Sequence, residues 1–247
     1  MKRTSAFAAL LCALLLCGIC APASRADEIV YVEAGDAVTA QIGDFIGGAY
    51  LTARPYRSSR AKAEHVLLLH VGQLPEKALR GFAPECVHVL TDAAAAADAY
   101  SDPAALPEIA QRIAAALCDI LPARRGYFGR RLGEFDAQLE ALLITGRKKL
   151  SGRKAVCASR YIEPFLRAFG AEVETIPHEE LESLAENFAR SDTKRPPANP
   201  YSGRAVFVDS KRAEKLGALK GRVRFTPVET ERGDLLRNVY EAVLMCD

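Results

Sequence analysis

Between Asp102 and Gly170 two helix-patterned segments lie back to back and lead straight into a short apolar strand and a further helix. The first opens at Asp102-Pro103, an N-capping acid before the residue best tolerated at a first helical position. It repeats Ile109, Ile113, Leu117 and Ile120 down one face until Pro122 ends it. The second carries Phe128, Leu132, Phe135, Leu139 and Leu142, in alternating steps of four and three that predict one apolar stripe on one continuous helix. A helix of that length spans a small domain. The segment therefore predicts two α/β lobes joined by a single long helix, with a first lobe over 27–121, the linking helix over 122–150 and a second lobe over 151–247.

The chain begins Met1-Lys2-Arg3, continues through an apolar run from Ala6 to Ile19, and reaches Ser24-Arg25-Ala26, the small-x-small pattern that signal peptidase cleaves after. Residues 1–26 are expected to be a cleaved secretory signal, because the apolar run is shorter than the ~20 residues a bilayer span needs. Cys17 and Cys20 lack the preceding small residues of a lipid-anchor site. The mature chain is thus expected to be exported. Loss of Lys2, Arg3 and Arg25 and of no acid takes the formal charge from +2 to about −1, which implies no nucleic-acid partner. Cys86, Cys118, Cys157 and Cys246 remain, in a compartment where disulfides form, and the sequence does not choose among their pairings. No CxxC pair is present, which argues against a thiolate zinc site.

Strand and helix patterns alternate along the mature chain, which means α/β with mainly parallel sheets. Glu28 to Glu33 reads as a strand covered on both faces. Asp36 can cap a helix through Val38, Ile42, Phe45 and Ile46 that Gly47-Gly48 stops. Further strands are expected at Ala49–Thr52, Val66–Leu69 and Val87–Leu90. After the long helix come strand Lys154–Ala158, helix Glu163–Phe169, strand Glu172–Ile176 and helix Glu179–Arg190. A surface loop with Pro196, Pro197 and Pro200 follows, then strand Ala205–Val208, a short helix around Ala213–Leu216, strand Arg222–Phe225 and a last helix over Asp234–Met245. No close internal repeat is visible. Neither a Gly-x-Ser-x-Gly elbow, nor HExxH, nor a P-loop, nor Gly-x-Gly-x-x-Gly after a strand occurs, so no catalytic arrangement stands out.

Taken together, these residues resemble the periplasmic solute-binding proteins of zinc and manganese ABC importers. Gly35-Asp36-Ala37-Val38 with Ile42 to Gly48 is similar to that family's first helix and its Ile-Gly-Gly turn. Ala63 to Gly72 resembles its Ala-Asp-Leu-Val strand, and Tyr100-Ser101-Asp102-Pro103 its Trp-Leu-Asp-Pro helix start. Pro122 to Leu142, with Tyr127, Phe135 and Leu139, resembles its inter-lobe helix and is the most specific match. Arg153 to Gly170 and Glu229 to Leu244, with Asn238, resemble its two ligand-bearing segments of the second lobe.

The resemblance implies a ligand cleft between the lobes, a transported divalent ion of the zinc or manganese type, an inner-membrane ABC permease as partner, a monomer, and no enzymatic activity. It also implies three histidines and one carboxylate around the metal, and here the sequence departs from the pattern. The connector from Arg54 to Lys62 has no histidine, Asp98 stands where the second is expected, and Ser159 where the third is expected; the carboxylate is Glu229. His70, at the end of the Val66–Leu69 strand, is either a compensating donor or a turn histidine. The candidate metal set is His70, Asp98, Ser159 and Glu229, whose oxygens favour manganese or a hydrated ion over tightly held zinc.

Asp209 also ends a strand, where it can face the cleft or cap the following helix, and capping is its expected role. His88 and His178 are expected to be structural or exposed, His65 to have no role in the cleft, and Cys157 to be core or disulfide-linked. Arg160 and Tyr161 follow Ser159, where an arginine can recruit an anionic or chelated ligand as readily as it can face solvent. The runs Arg124-Arg125, Arg130-Arg131 and Arg147-Lys148-Lys149 read as solvated helix faces. Two other readings stay open: a member without a metal site that acts as an envelope interaction protein, and a binding protein for a different solute such as a metal chelate.

Overall fold

The computed structural model describes residues 29–58, 62, 65–69, 74–90, 102–191, 198–230 and 234–246. The expected signal over 1–26, the candidate ligands His70 and Asp98, and Pro196-Pro197 lie outside the described residues.

Strand β1 (Val30–Ala34) leads through Asp36 into helix α1 (Ala37–Gly47). The Asp36 carboxylate accepts the Thr39 N–H at 2.8 Å, satisfying one of the orphan donors of the first turn. Gly48 closes the helix at φ +52°, where a Cβ would fall 2.0 Å from the Tyr127 hydroxyl oxygen, so both the backbone angle and the packing require glycine. Strand β2 (Leu51–Pro55) follows, then β3 (Val66–Leu69), the short helix α2 (Glu76–Leu79) and β4 (Val87–Val89). All four strands are parallel, in the order β2-β1-β3-β4.

Helix α3 (Leu106–Ile120) begins later than expected. Asp102 Oδ1 accepts the Ala104 N–H at 2.9 Å and so braces a turn over Pro103, leaving Pro107 to occupy the first turn of the helix. Helix α4 (Arg125–Leu150) is the long link, 26 residues or about 39 Å at 1.5 Å per residue. It buries Phe128, Phe135, Leu139, Leu142, Gly146 and Leu150. Beyond it lie β5 (Lys154–Cys157), α5 (Glu163–Ala168), β6 (Glu172–Thr175), α6 (His178–Arg190), β7 (Ala205–Asp209), α7 (Ser210–Ala213), β8 (Arg224–Val228) and α8 (Leu235–Leu244). This second sheet is again all parallel, in the order β6-β5-β7-β8. The two sheets thus share one topology that the sequence does not betray as a repeat.

A single apolar cluster runs from Val32 and Leu68 in the first lobe, along α4, to Phe165, Phe207 and Leu236 in the second. The lobes are therefore fused along the long helix. A further cluster, around Val156, Leu181, Val206 and Leu219, fills the opposite face of the second sheet. The first sheet differs from the expectation of burial on both faces: Tyr31 is 49 % exposed and Val89 53 % exposed. On that face Glu33, wholly buried, takes Arg54 Nη2 at 2.5 Å and lies 3.1 Å from His65 Nδ1, and the Tyr31 ring stacks on His65. His65 therefore has a structural partner.

The basic residues of α4 and of the turn before it are only partly a solvated face. Arg131 donates to the Phe45 carbonyl at 2.9 Å and lies 4.1 Å over the Phe45 ring, and Arg124 lies 4.3 Å over Tyr50. These contacts seat the first lobe on the linking helix through cation–π attraction and a satisfied helix-end carbonyl. Cys86, Cys118, Cys157 and Cys246 are all unpaired. Burial pushes the Cys157 thiol up to about 12, which makes it an inert core residue.

Candidate functional site

In the second sheet the chain leaves β5 for β6 on one side and leaves β7 for β8 on the other. A parallel α/β sheet opens a crevice where its winding reverses, at the carboxyl ends of the strands. That point lies here between β5 and β7, and a cleft of about 790 Å³ opens over it. Ser159 follows β5, His178 follows β6, Asp209 ends β7, and Glu229 and Thr230 follow β8; all five line the cleft.

Asp209 is the centre of the arrangement. Its Oδ1 accepts the Ser159 hydroxyl at 2.5 Å and the Thr230 hydroxyl at 3.1 Å. Its side chain makes no hydrogen bond to the N-terminus of α7, so the expected capping role is replaced by one in the cleft. The reason is geometric: the two hydroxyls, from β5 and β8, flank β7 and draw the carboxylate across the top of the sheet. Ser159 is 3 % exposed and spends its proton on Asp209, so it orients that carboxylate before it does anything else.

The segment carrying Glu229 is held from two sides. Asn238 of α8 donates to the Glu229 carbonyl at 2.9 Å, and Gln41 of α1 donates to the Thr230 carbonyl at 2.9 Å in a buried contact. Gln41 belongs to the first lobe, so one side chain ties that lobe to the cleft-side loop of the second. Of the expected set, Ser159 and Glu229 share this cleft. Among the described residues no three histidine, cysteine, aspartate or glutamate side chains stand close enough to hold one metal ion.

His178, expected to be structural or exposed, is of the first kind and also borders the cleft. It is the first residue of α6, only 5 % exposed, and it lines the cleft. Neither ring nitrogen has a hydrogen-bond partner; Glu182 Oε1 stands 3.5 Å from Nε2 without hydrogen-bond geometry. Burial, then the Arg212 guanidinium, hold its imidazole below the ordinary value of 6.5, against the opposing pull of Glu182, Glu179 and Asp209. The folded state therefore binds fewer protons than the unfolded chain. Stability should be full above about pH 6.5 and decline as pH falls through it, where the unfolded histidine protonates first. Thermal melting at pH 7.5 and 5.5 should show a loss of Tm on acidification that is smaller in His178→Gln; an equal loss would assign the effect elsewhere. His88, half-buried in β4 and pushed down mainly by burial, adds to the same slope.

Around this floor stand cations. Arg160, Lys211, Arg212 and Lys215 all line the cleft and are solvent-exposed. The Arg160 guanidinium lies 4.8 Å over the Tyr161 ring and donates to the Tyr161 hydroxyl at 2.8 Å. Sequence reasoning reached Ser159, Arg160 and Glu229, but it missed the centrality of Asp209 and the cleft position of His178. Strand-end placement was the one signal available for Asp209.

No family model matches the sequence, and no curated protein matches it. Solved structures do. ZnuA aligns with a TM-score of 0.57 at 14% identity, covering 87% of this chain and 97% of that one. The periplasmic zinc-binding protein TroA from Treponema pallidum aligns at 0.53 and 16%, covering 89% and 99%. The laminin-binding protein Lbp of Streptococcus pyogenes aligns at 0.56 and 14%, covering 88% and 96%. Likeness at such identities is a likeness of fold. This chain has the two-lobed α/β fold of those proteins over nearly their whole length.

Proposed function

We propose that this protein is the solute-binding component of an ABC importer of the metal-ion type, exported after removal of residues 1–26 and acting as a monomer that delivers its cargo to an inner-membrane permease. Its cargo is a divalent metal, held over the cleft of a second lobe (151–247) and covered from the other side by a first lobe (27–121), the linking helix joining the two. The observation that carries this reading is the convergence of Ser159, Asp209 and Glu229 at the winding reversal of the second sheet, in a fold shared with the periplasmic zinc-binding protein TroA.

Asp209 and Glu229 supply carboxylate oxygens, which suit manganese or a partly hydrated ion better than an ion seeking imidazole and thiolate. His70 and Asp98 are the residues proposed to complete the set from the first lobe. Binding is without chemistry. Elemental analysis and calorimetry of the mature protein should find metal taken up at one equivalent, with Glu229→Ala weakening it; no uptake from any metal solution would overturn the reading.

A further inference from the structure

Resting on that reading, we infer that the cleft takes its metal as a complex with a small carboxylate-bearing chelator, and discriminates against the bare ion. Three features of the cleft lead there. The first is the unfinished donor set. Asp209 has one oxygen engaged by two hydroxyls, and no three ligating side chains among the described residues converge on one point. With His70 and Asp98 added as proposed, a divalent ion at Asp209 and Glu229 still keeps about two of its six or so coordination positions for ligands it brings with it.

The second is size. At about 790 Å³ the cleft is in the range of pockets that enclose small organic molecules, whereas one coordinated ion with a water or two needs a small fraction of that space.

The third is the layering of charge. The half-buried carboxylates of Asp209 and Glu229 form the floor, and the exposed cations Arg160, Lys211, Arg212 and Lys215 form the rim. Two more acids line the cleft: Glu163, engaged by Arg167 at 2.7 Å, and Glu179. Lys215 is 3.7 Å from Glu182. Such a rim opposes a bare cation and attracts a complex whose outer surface is carboxylate, while the floor reaches the metal at its centre. Arg160, steadied on the Tyr161 ring, presents the planar fork that matches a carboxylate. His178 adds a buried imidazole whose ring nitrogens have no hydrogen-bond partner in the protein, able to donate to a chelator oxygen or to accept from its hydroxyl.

Calorimetry on the mature protein with manganese chloride alone, sodium citrate alone, and manganese citrate tests this, with zinc run in parallel. The complex should bind at one equivalent at least about tenfold more tightly than either component, and Lys211→Ala/Arg212→Ala should weaken it about tenfold, a difference of about 1.4 kcal/mol. Arg190→Gln, at the far end of α6, should not. Bare metal binding as tightly as the complex would overturn the chelate and leave a metal-ion carrier standing. Citrate alone binding as tightly would overturn the metal-centred complex. Failure of the metal to bind in either form would overturn the proposed function with it.

Discussion

Gly146→Ala should destabilise the protein by about 1–2 kcal/mol, while Gly133→Ala in the same helix should stabilise it by about 0.5–1 kcal/mol. Both substitutions remove the same flexible residue from the interior of α4 and give the same gain in helix propensity. They differ in what the new methyl group meets. At Gly133 a Cβ has nothing within 4 Å; at Gly146 it would lie 2.2–2.4 Å from three ring carbons of Phe169. That ring is wholly buried, is packed against Phe165 at 6.2 Å between centroids, and closes α5 onto the long helix. It has no free space to move into, so the clash is relieved only by shifting α5, and overpacking of this kind costs about 1–3 kcal/mol before the propensity gain is set against it. Gly146→Val removes that gain and adds two methyl groups, and should cost about 3–4 kcal/mol. Urea unfolding of the variants measures these differences, and Phe169→Leu should recover part of the Gly146→Ala loss through their coupling. Equal effects at 133 and 146 would mean that the second lobe does not dock on α4 through this contact.

The second large effect falls on binding. Asp209→Asn should lower metal or metal-complex affinity by about 10–100-fold, and Ser159→Ala by less. The amide keeps the size and can still accept a hydroxyl, but it loses the charge that faces the cargo. Ser159→Ala leaves the charge and removes one of two hydroxyls that hold it, with Thr230 still in place at 3.1 Å. Because Ser159 acts through Asp209, the double substitution should be no worse than Asp209→Asn alone. Calorimetry beside thermal melting separates lost binding from lost folding. If Asp209→Asn bound like the parent while Glu229→Ala did not, Asp209 would be a brace for the loop and no ligand.

The scaffold was readable because its signals are local. The apolar run Val66–Leu69 is a strand at those residues, and the stripe from Phe128 to Leu142 is one helix because both periods are written in consecutive residues. Asp102-Pro103 misled by one turn, since an acid before proline braces a turn as well as it caps a helix. The site was less readable because its contacts are distant in the chain. Fifty positions separate Ser159 from Asp209, and Gln41 reaches Thr230 from the other lobe. No periodicity reports such a pair. His178 shows the same limit: a helix start reads as structural or exposed, and only the packing of the second lobe sets it, buried, on the cleft.

The central claim is that cargo sits over the winding reversal of the second sheet, against Asp209 and Glu229. Anomalous diffraction at the manganese edge, from crystals of the mature protein grown with manganese citrate, tests it most directly. One peak bounded by those two carboxylates, with chelator density reaching toward Arg160 and Lys211, is the expected result. A peak elsewhere on the molecule, or none in the cleft, would contradict it.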